Sequence, residues 1–371
     1  RSSVLRMSIR PRTRFPPSQK LHTAPGSGVP ARSQRADWTA PVFEPLPWAA
    51  RADLMTIVAS FWPRRFPLLP RAVDRLVQIE PGTRILVRCH WQKAGRERPG
   101  LVLVHGLEGS SESGYMLGTA ERAWQAGFHV VRMNQRNCGG TEQLTPTLYN
   151  SSLSGDVRAV VNELIESEGL TEIFAAGFSM GGNLVLKMAG EMGEGAPGEL
   201  RAVAGVSPSL DLAACANSLE MPRNWIYERY FVRQLKQRMQ RKARLFPDRY
   251  RLNGLGSIRS IRQFDDRITA PHSGFRDADD YYFRASAMRV VEHIRRPALV
   301  VAAQDDPMVP FALFERPEIR EHSYIRLVAP RRGGHCGFIS RRGGSERFWV
   351  EGVLVEFFRE QSRLAQHLPV K

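Results

Sequence analysis

Short apolar runs alternate with amphipathic stretches along most of this chain. Residues 84–90 place Ile85, Val87 and Cys89 on one face of a strand and Arg84, Leu86, Arg88 and His90 on the other. Residues 101–104 are wholly apolar, as in a strand buried on both faces. A helix is predicted over 115–126 and a strand over 128–133. Val157, Val160, Val161, Leu164 and Ile165 recur at helical spacing, so this stretch reads as an amphipathic helix. Further strands are predicted at 172–176, 202–206, 298–302 and 324–328, with a short helix near Phe311. A last helix is expected over 345–365, capped by Ser345 and carrying Trp349, Val353 and Phe357 along one face. Strands that alternate with helices, most of them short apolar runs, predict an α/β fold: a mostly parallel central sheet flanked by helices. Ligands in such a fold bind beyond the carboxyl ends of the strands.

Composition changes this picture in two places. The chain has 371 residues and a formal charge of +16, and the charge is unevenly spread. Residues 1–36 hold eight Lys/Arg and no acid; residues 222–262 hold twelve Lys/Arg against Glu228 and Asp248, which leaves −2 for the remainder. Residues 1–45, rich in Pro, Ser and Arg, read as a disordered basic tail. Their acid-free start resembles a transit peptide, but five prolines between positions 11 and 30 break the helix such a peptide needs. Met7 is an alternative start, which leaves open whether residues 1–6 are native. Residues 46–371 then form one domain. Within 227–245, Tyr227, Phe231, Leu235 and Met239 recur every fourth residue among arginines and lysines, including Arg238, Arg241 and Lys242. This basic amphipathic helix belongs to a helical lid insertion at about 213–283. Its outer face suits an anionic membrane or an acidic partner. Its aromatic residues lie on the apolar spacing and not among the arginines, so nucleic acid is not an expected partner. Four cysteines without paired spacing argue against a zinc cage or a disulfide framework and for a reducing compartment. No apolar run approaches the ~18 to 20 residues that span a bilayer. A cytoplasmic location, peripheral at the membrane, is the expectation.

The chemistry centres on Gly177-Phe178-Ser179-Met180-Gly181, which follows a predicted strand and opens a predicted helix. That is the setting of a nucleophile elbow, where glycines relieve crowding around a serine on a sharp turn. A serine hydroxyl needs a base, and the base needs an orienting acid. His335 lies in a glycine-rich loop past the last strand, and Asp305 and Asp306 follow the strand before it. These adjacent carboxylates could exchange roles; the spacing from Asp306 to Pro310 favours Asp306. An oxyanion hole needs two backbone N–H donors, for which Met180 and Leu107 are the candidates, the latter in the loop His105-Gly106-Leu107-Glu108-Gly109. His105 and Cys138 read as structural.

The stretches HGLEGSSESGY from His105, GFSMGGN from Gly177, FDDRITAPHSGFRDADDYY from Phe264, DDPMVP from Asp305 and GGHCGF from Gly333 resemble the YheT-like branch of the α/β-hydrolases. The resemblance covers about residues 50–360. It implies the α/β-hydrolase fold and a carboxylesterase with Ser179, Asp306 and His335 as its triad. Residues 52–57 match only part of the motif usual upstream in that branch, so no particular substrate carries over. The expected function is cleavage of carboxylic esters, lipid-like acyl esters first, through an acyl-enzyme and with no metal or organic cofactor. Two alternatives stand beside it: an acyltransferase using the same triad, and a non-catalytic protein of this fold that binds anionic surfaces through the basic helix.

Overall fold

The computed structural model describes residues 38–93 and 95–363. Its centre is an eight-stranded sheet in the order β1-β2-β4-β3-β5-β6-β7-β8. The strands are β1 (Val73–Glu80), β2 (Thr83–His90), β3 (Gly100–Val104), β4 (His129–Met133), β5 (Ile173–Phe178), β6 (Leu200–Val206), β7 (Ala298–Val301) and β8 (Ile325–Val328). β1 and β2 run antiparallel, and β2 is antiparallel to β4. From β4 onward every pairing is parallel. Every residue of β3, β4, β5 and β7 is buried, which accounts for the unbroken apolar composition of β3, β5 and β7; β4 also buries His129 and Arg132. β1 escaped the sequence reading because it is an edge strand on which Val77 alone is buried, so it has little alternation to detect.

Helices α1 (Ala52–Phe61), α2 (Gly114–Gln125), α3 (Ser154–Glu166), α4 (Met180–Met192), α5 (Leu212–Leu219) and α6 (Trp225–Leu245) follow in chain order. α3 packs on α4, and α2 packs on the C-terminal helix Trp349–Gln361. That last helix starts later than expected. Ser345 sits in a separate 3-10 turn, Gly344–Glu346, and Phe348 occupies the N-cap position without a side-chain cap. The predicted end at Ala365 lies outside the described residues.

The expected tail also ends earlier than residue 45. Phe43 packs on Phe338 and Trp349, the Trp349 indole donates to the Pro41 carbonyl at 3.0 Å, and Pro45 bridges to Ser340. These contacts join positions some 300 residues apart in sequence, out of reach of a local hydrophobic pattern. Residues 1–37 lie outside the described residues. No helix among the described residues is long and apolar enough to cross a membrane.

Between β6 and β7 the chain leaves the sheet and builds a helical insertion that includes α5, α6 and the helix Ala278–Ala285. α6 spans the predicted basic stretch, and Tyr227, Leu235 and Met239 are buried as expected. Its charge is distributed differently from the prediction. Arg238 and Lys242, expected on the polar surface, are buried. The Lys242 ammonium donates to Asn137 Oδ1 at 2.7 Å, to the Glu142 carbonyl at 2.9 Å and to the Thr145 carbonyl. The Arg238 guanidinium pairs with Glu108 at 2.9 Å and also donates to the Asn137 carbonyl. Two of the basic residues therefore bolt α6 onto the loops that follow β3 and β4. Lys242→Ala strands three buried acceptors and is expected to cost about 3 kcal/mol. A denaturant melt that shifts no more than an exposed Arg→Ala control on α6 contradicts this account.

Candidate active site

Ser179 follows β5 directly and precedes α4, in a conformation (φ 53°, ψ −119°) that L-residues rarely adopt. The turn is held by close packing that glycine alone permits. A Cβ on Gly177 would lie 2.0 Å from the Gly181 carbonyl oxygen, and one on Gly181 would lie 2.3 Å from the Val104 carbonyl oxygen. The loop after β3 also passes close by, though less tightly: a Cβ on Gly106 would sit 3.1 Å from Ser179 Cβ. Asn183 stitches this corner to the insertion. Its amide donates to the carbonyls of Ser151 at 3.1 Å and Ala285 at 2.9 Å, and its Oδ1 accepts from the Ala287 N–H at 2.7 Å.

The loops after β7 and β8 bring a carboxylate and an imidazole to the serine. His335 Nε2 lies 2.9 Å from Ser179 Oγ, and His335 Nδ1 lies 2.9 Å from Asp306 Oδ2. The Asp306 carboxylate also accepts the backbone N–H groups of Met308 at 2.9 Å and Val309 at 3.0 Å, which hold it in place. Asp305 faces elsewhere and accepts the Gly334 N–H at 3.0 Å, bracing the histidine loop. The geometry thus separates two carboxylates that the sequence left exchangeable. Burial is the largest influence on the His335 ring and disfavours its charged form, but the Asp306 charge and hydrogen bond, together with Cys336, outweigh it and raise the imidazole well above its ordinary pKa.

α1 supports this loop in a way no local sequence signal announced. Thr56 Oγ1 accepts the His335 N–H at 2.9 Å while donating to the Ala52 carbonyl at 2.8 Å. Gly334 adopts a left-handed φ of 58° and presses so closely on α1 that a Cβ there would lie 2.6 Å from the Ala52 oxygen. Asp53, on the same helix, accepts the Tyr227 hydroxyl of α6 at 2.9 Å. The histidine loop and the insertion are thereby tied to one short helix.

Ser179 and His335 open on a cavity of about 990 Å³, counting its open mouth, with Leu107 and Met180 also in its wall. Apolar side chains from the insertion make up much of the remainder, among them Leu212, Leu219, Leu235, Met239 and Phe264. His105 is buried outside the cavity lining, accepts the Gln135 N–H at 3.1 Å and is pushed down to about 4 by burial, so it is a neutral structural ring. Burial pushes the Cys138 thiol up to about 12. An unionised thiol of this kind is inert. In the arrangement as a whole, the imidazole can take the serine proton while the carboxylate steadies the resulting positive charge.

A hydrolase-type sheet with a serine elbow at the end of β5 defines the class to which the chain conforms. Residues 99–341 match the family described as alpha/beta hydrolase fold, and the chain belongs to that family, in its YheT-like branch. It is 32% identical over 302 residues to YheT of Escherichia coli K12, an esterase by assignment, covering 78% of this chain and 88% of that protein. It is 33% identical over 261 residues to the mouse phospholipase ABHD3, covering 70% of this chain and 63% of that one. Among solved structures, the Pyrococcus furiosus esterase Pf2001 shares the fold with a TM-score of 0.54 at 14% identity, over 80% of this chain and 95% of that chain.

The crowding at the elbow yields a direct test. Gly177→Ala forces a methyl group into the Gly181 backbone and is expected to destabilise the fold by about 3 kcal/mol or more. Gly155→Ala, where a Cβ meets nothing within 4 Å, serves as the control in the same thermal melt.

Proposed function

We propose that this protein hydrolyses carboxylic esters, with lipid-like acyl esters as its substrates, through an acyl-enzyme formed on Ser179. The observation that carries the reading is the unbroken hydrogen-bond line from Asp306 through His335 to Ser179 at the wall of an apolar cavity. Ser179 Oγ attacks the ester carbon as His335 Nε2 takes its proton. The tetrahedral oxyanion is held by the N–H groups of Leu107 and Met180. His335 then delivers the proton to the departing alcohol, leaving the acyl group on Ser179. Water, deprotonated by the same ring, releases the acid. The insertion between β6 and β7 serves as the lid, and its apolar wall suits an acyl chain better than a polar acid. Family membership and relatives named as an esterase and a phospholipase support the choice of ester bonds.

Ser179→Ala is expected to abolish labelling by a fluorophosphonate probe and to lower kcat on a short-chain p-nitrophenyl ester by about four orders of magnitude. Asp306→Asn should lose nearly as much, while Asp305→Asn loses far less; equal losses contradict the assigned roles. The base must be neutral to accept a proton, and Asp306 raises its pKa, so kcat/KM rises with pH as His335 deprotonates. Removing the Asp306 charge is expected to move that rising limb to lower pH in the residual activity of Asp306→Asn.

A second reading, of where the enzyme works, draws on the outer face of α6. Trp225, Ile226 and Tyr230 are exposed there beside Arg229 and Arg233, while Phe231, Leu235 and Met239 of the same helix line the cavity. Apolar residues set among arginines suit an anionic lipid surface. Sedimentation with phosphatidylglycerol vesicles is expected to be salt-sensitive and to weaken several-fold in Trp225→Ala/Ile226→Ser. Equal binding to phosphatidylcholine vesicles counts against it. Strong binding to anionic vesicles by a protein that no fluorophosphonate labels favours the non-catalytic alternative.

A further inference from the structure

The same cavity holds a carboxylate that the reaction does not use. Asp265 opens a π-helical turn, Asp265–Thr269, between the short helices Ile261–Phe264 and Ala270–His272. The turn brings the Thr269 hydroxyl onto Asp265 Oδ1 at 2.6 Å, and Tyr282, from the helix Ala278–Ala285, donates to Oδ2 at 2.8 Å. Asp265 is 9% exposed, and no ion pair to it forms among the described residues. The nearest cationic influence is Arg262, whose guanidinium lies 5.2 Å from the centre of the Tyr282 ring and pairs instead with Glu220 and Asp279. Burial raises the Asp265 carboxyl to about 6, which leaves it ionised near neutral pH.

A buried carboxylate without a cation is costly, and its persistence points to a task. An ionised carboxylate accepts about four hydrogen bonds, and two are filled here, both by hydroxyls. Asp265, Thr269, Tyr281 and Tyr282 all line the cavity that contains Ser179 and His335, which is otherwise largely apolar. The polar corner is also fixed relative to the serine. The Tyr281 hydroxyl accepts the Ser151 N–H at 2.8 Å, and the Ser151 carbonyl accepts from Asn183 on the first turn of α4. π-Helical turns of this kind are commonly found at functional sites.

We propose that Asp265, flanked by Tyr282 and Thr269, is a specificity subsite that receives a hydroxyl of the substrate's alcohol portion, selecting esters of polyols such as glycerol over simple alkyl esters. The inference rests on the acyl-transfer reading of Ser179 and deepens it. A hydroxyl donates to the open acceptor positions without bringing charge into the cavity. A cationic head group fits less well, because the cavity wall already carries Arg238, paired with Glu108, and Arg262 stands behind Tyr282. The substrate hydroxyl keeps its proton throughout; the bond broken is the ester bond at the acyl carbon, and the departing oxygen takes its proton from His335. Asp265 therefore sets which ester is held and does not take part in bond exchange.

The test compares the methyl, glyceryl and choline esters of one fatty acid with the full-length protein. Wild type is expected to favour the glyceryl ester. Asp265→Asn is expected to lower kcat/KM for that ester by about 10-fold, mostly through KM, while leaving the methyl ester within about two-fold. Tyr282→Phe should show the same pattern more weakly, and it carries the test if Asp265→Asn does not fold. A purely structural Asp265 would lower all three esters together, and that outcome overturns the subsite. A wild-type preference for the choline ester overturns the hydroxyl assignment. If no ester is cleaved and Ser179 takes no fluorophosphonate, the acyl-transfer reading itself has failed; cleavage without discrimination between methyl and glyceryl esters defeats the subsite alone.

Discussion

A left-handed backbone at a serine is what the rest of the molecule is built to hold. Residues with a Cβ avoid that conformation, at a cost on the order of 1–3 kcal/mol. Here it is enforced by crowding from all sides: the Gly181 backbone against Gly177, the Val104 and His105 carbonyls against Gly181, and Pro208 against Gly182. These contacts exist because β3, β5 and β6 are neighbours in the parallel sheet and their carboxyl ends arrive together. The strain at one residue is thus distributed over the registers of three strands.

Parallel order also explains why groups from distant parts of the chain meet. Parallel strands release all their following loops at one edge. Asp306 follows β7, His335 follows β8, and Leu107 follows β3, so a single edge collects all of them beside Ser179. Order among the strands is not enough for a hydrogen bond, which tolerates a few tenths of an ångström. The remaining accuracy comes from supports outside the sheet: Thr56 on the His335 backbone, Asp305 on Gly334, and two N–H groups on Asp306.

Buried charge is used in this protein chiefly for attachment. The Arg136–Asp156 pair at 2.7 Å and the three-acceptor cradle of Lys242 join the loop after β4 to its surroundings, and the Arg238–Glu108 pair joins the insertion to the loop after β3. Each satisfies its hydrogen-bonding positions with several partners, the condition under which burying charge is tolerable. Asp265 departs from this pattern, since its partners are neutral hydroxyls and it faces the cavity that Ser179 shares. The insertion therefore contributes an apolar wall and one polar corner to the same space.

Much of this was legible in the residues alone. Apolar runs such as 101–104 and 298–301 announce buried parallel strands because a strand covered on both faces has no polar side to show. The glycines around Ser179 announce the elbow because no other residue fits there. Chain order placed a histidine and an aspartate after the last two strands. The edge strand β1, the packing of Phe43 on Trp349, the brace from Thr56 and the inward turn of Arg238 and Lys242 were not legible. Nor was the separation of Asp305 from Asp306, which are adjacent, chemically identical, and distinguished only by their partners, Gly334 for one and His335 for the other. Local pattern reports how a side chain is covered, because burial selects composition; it does not report by what. Which partner meets which group is decided when remote segments pack, and only the tertiary structure carries that information.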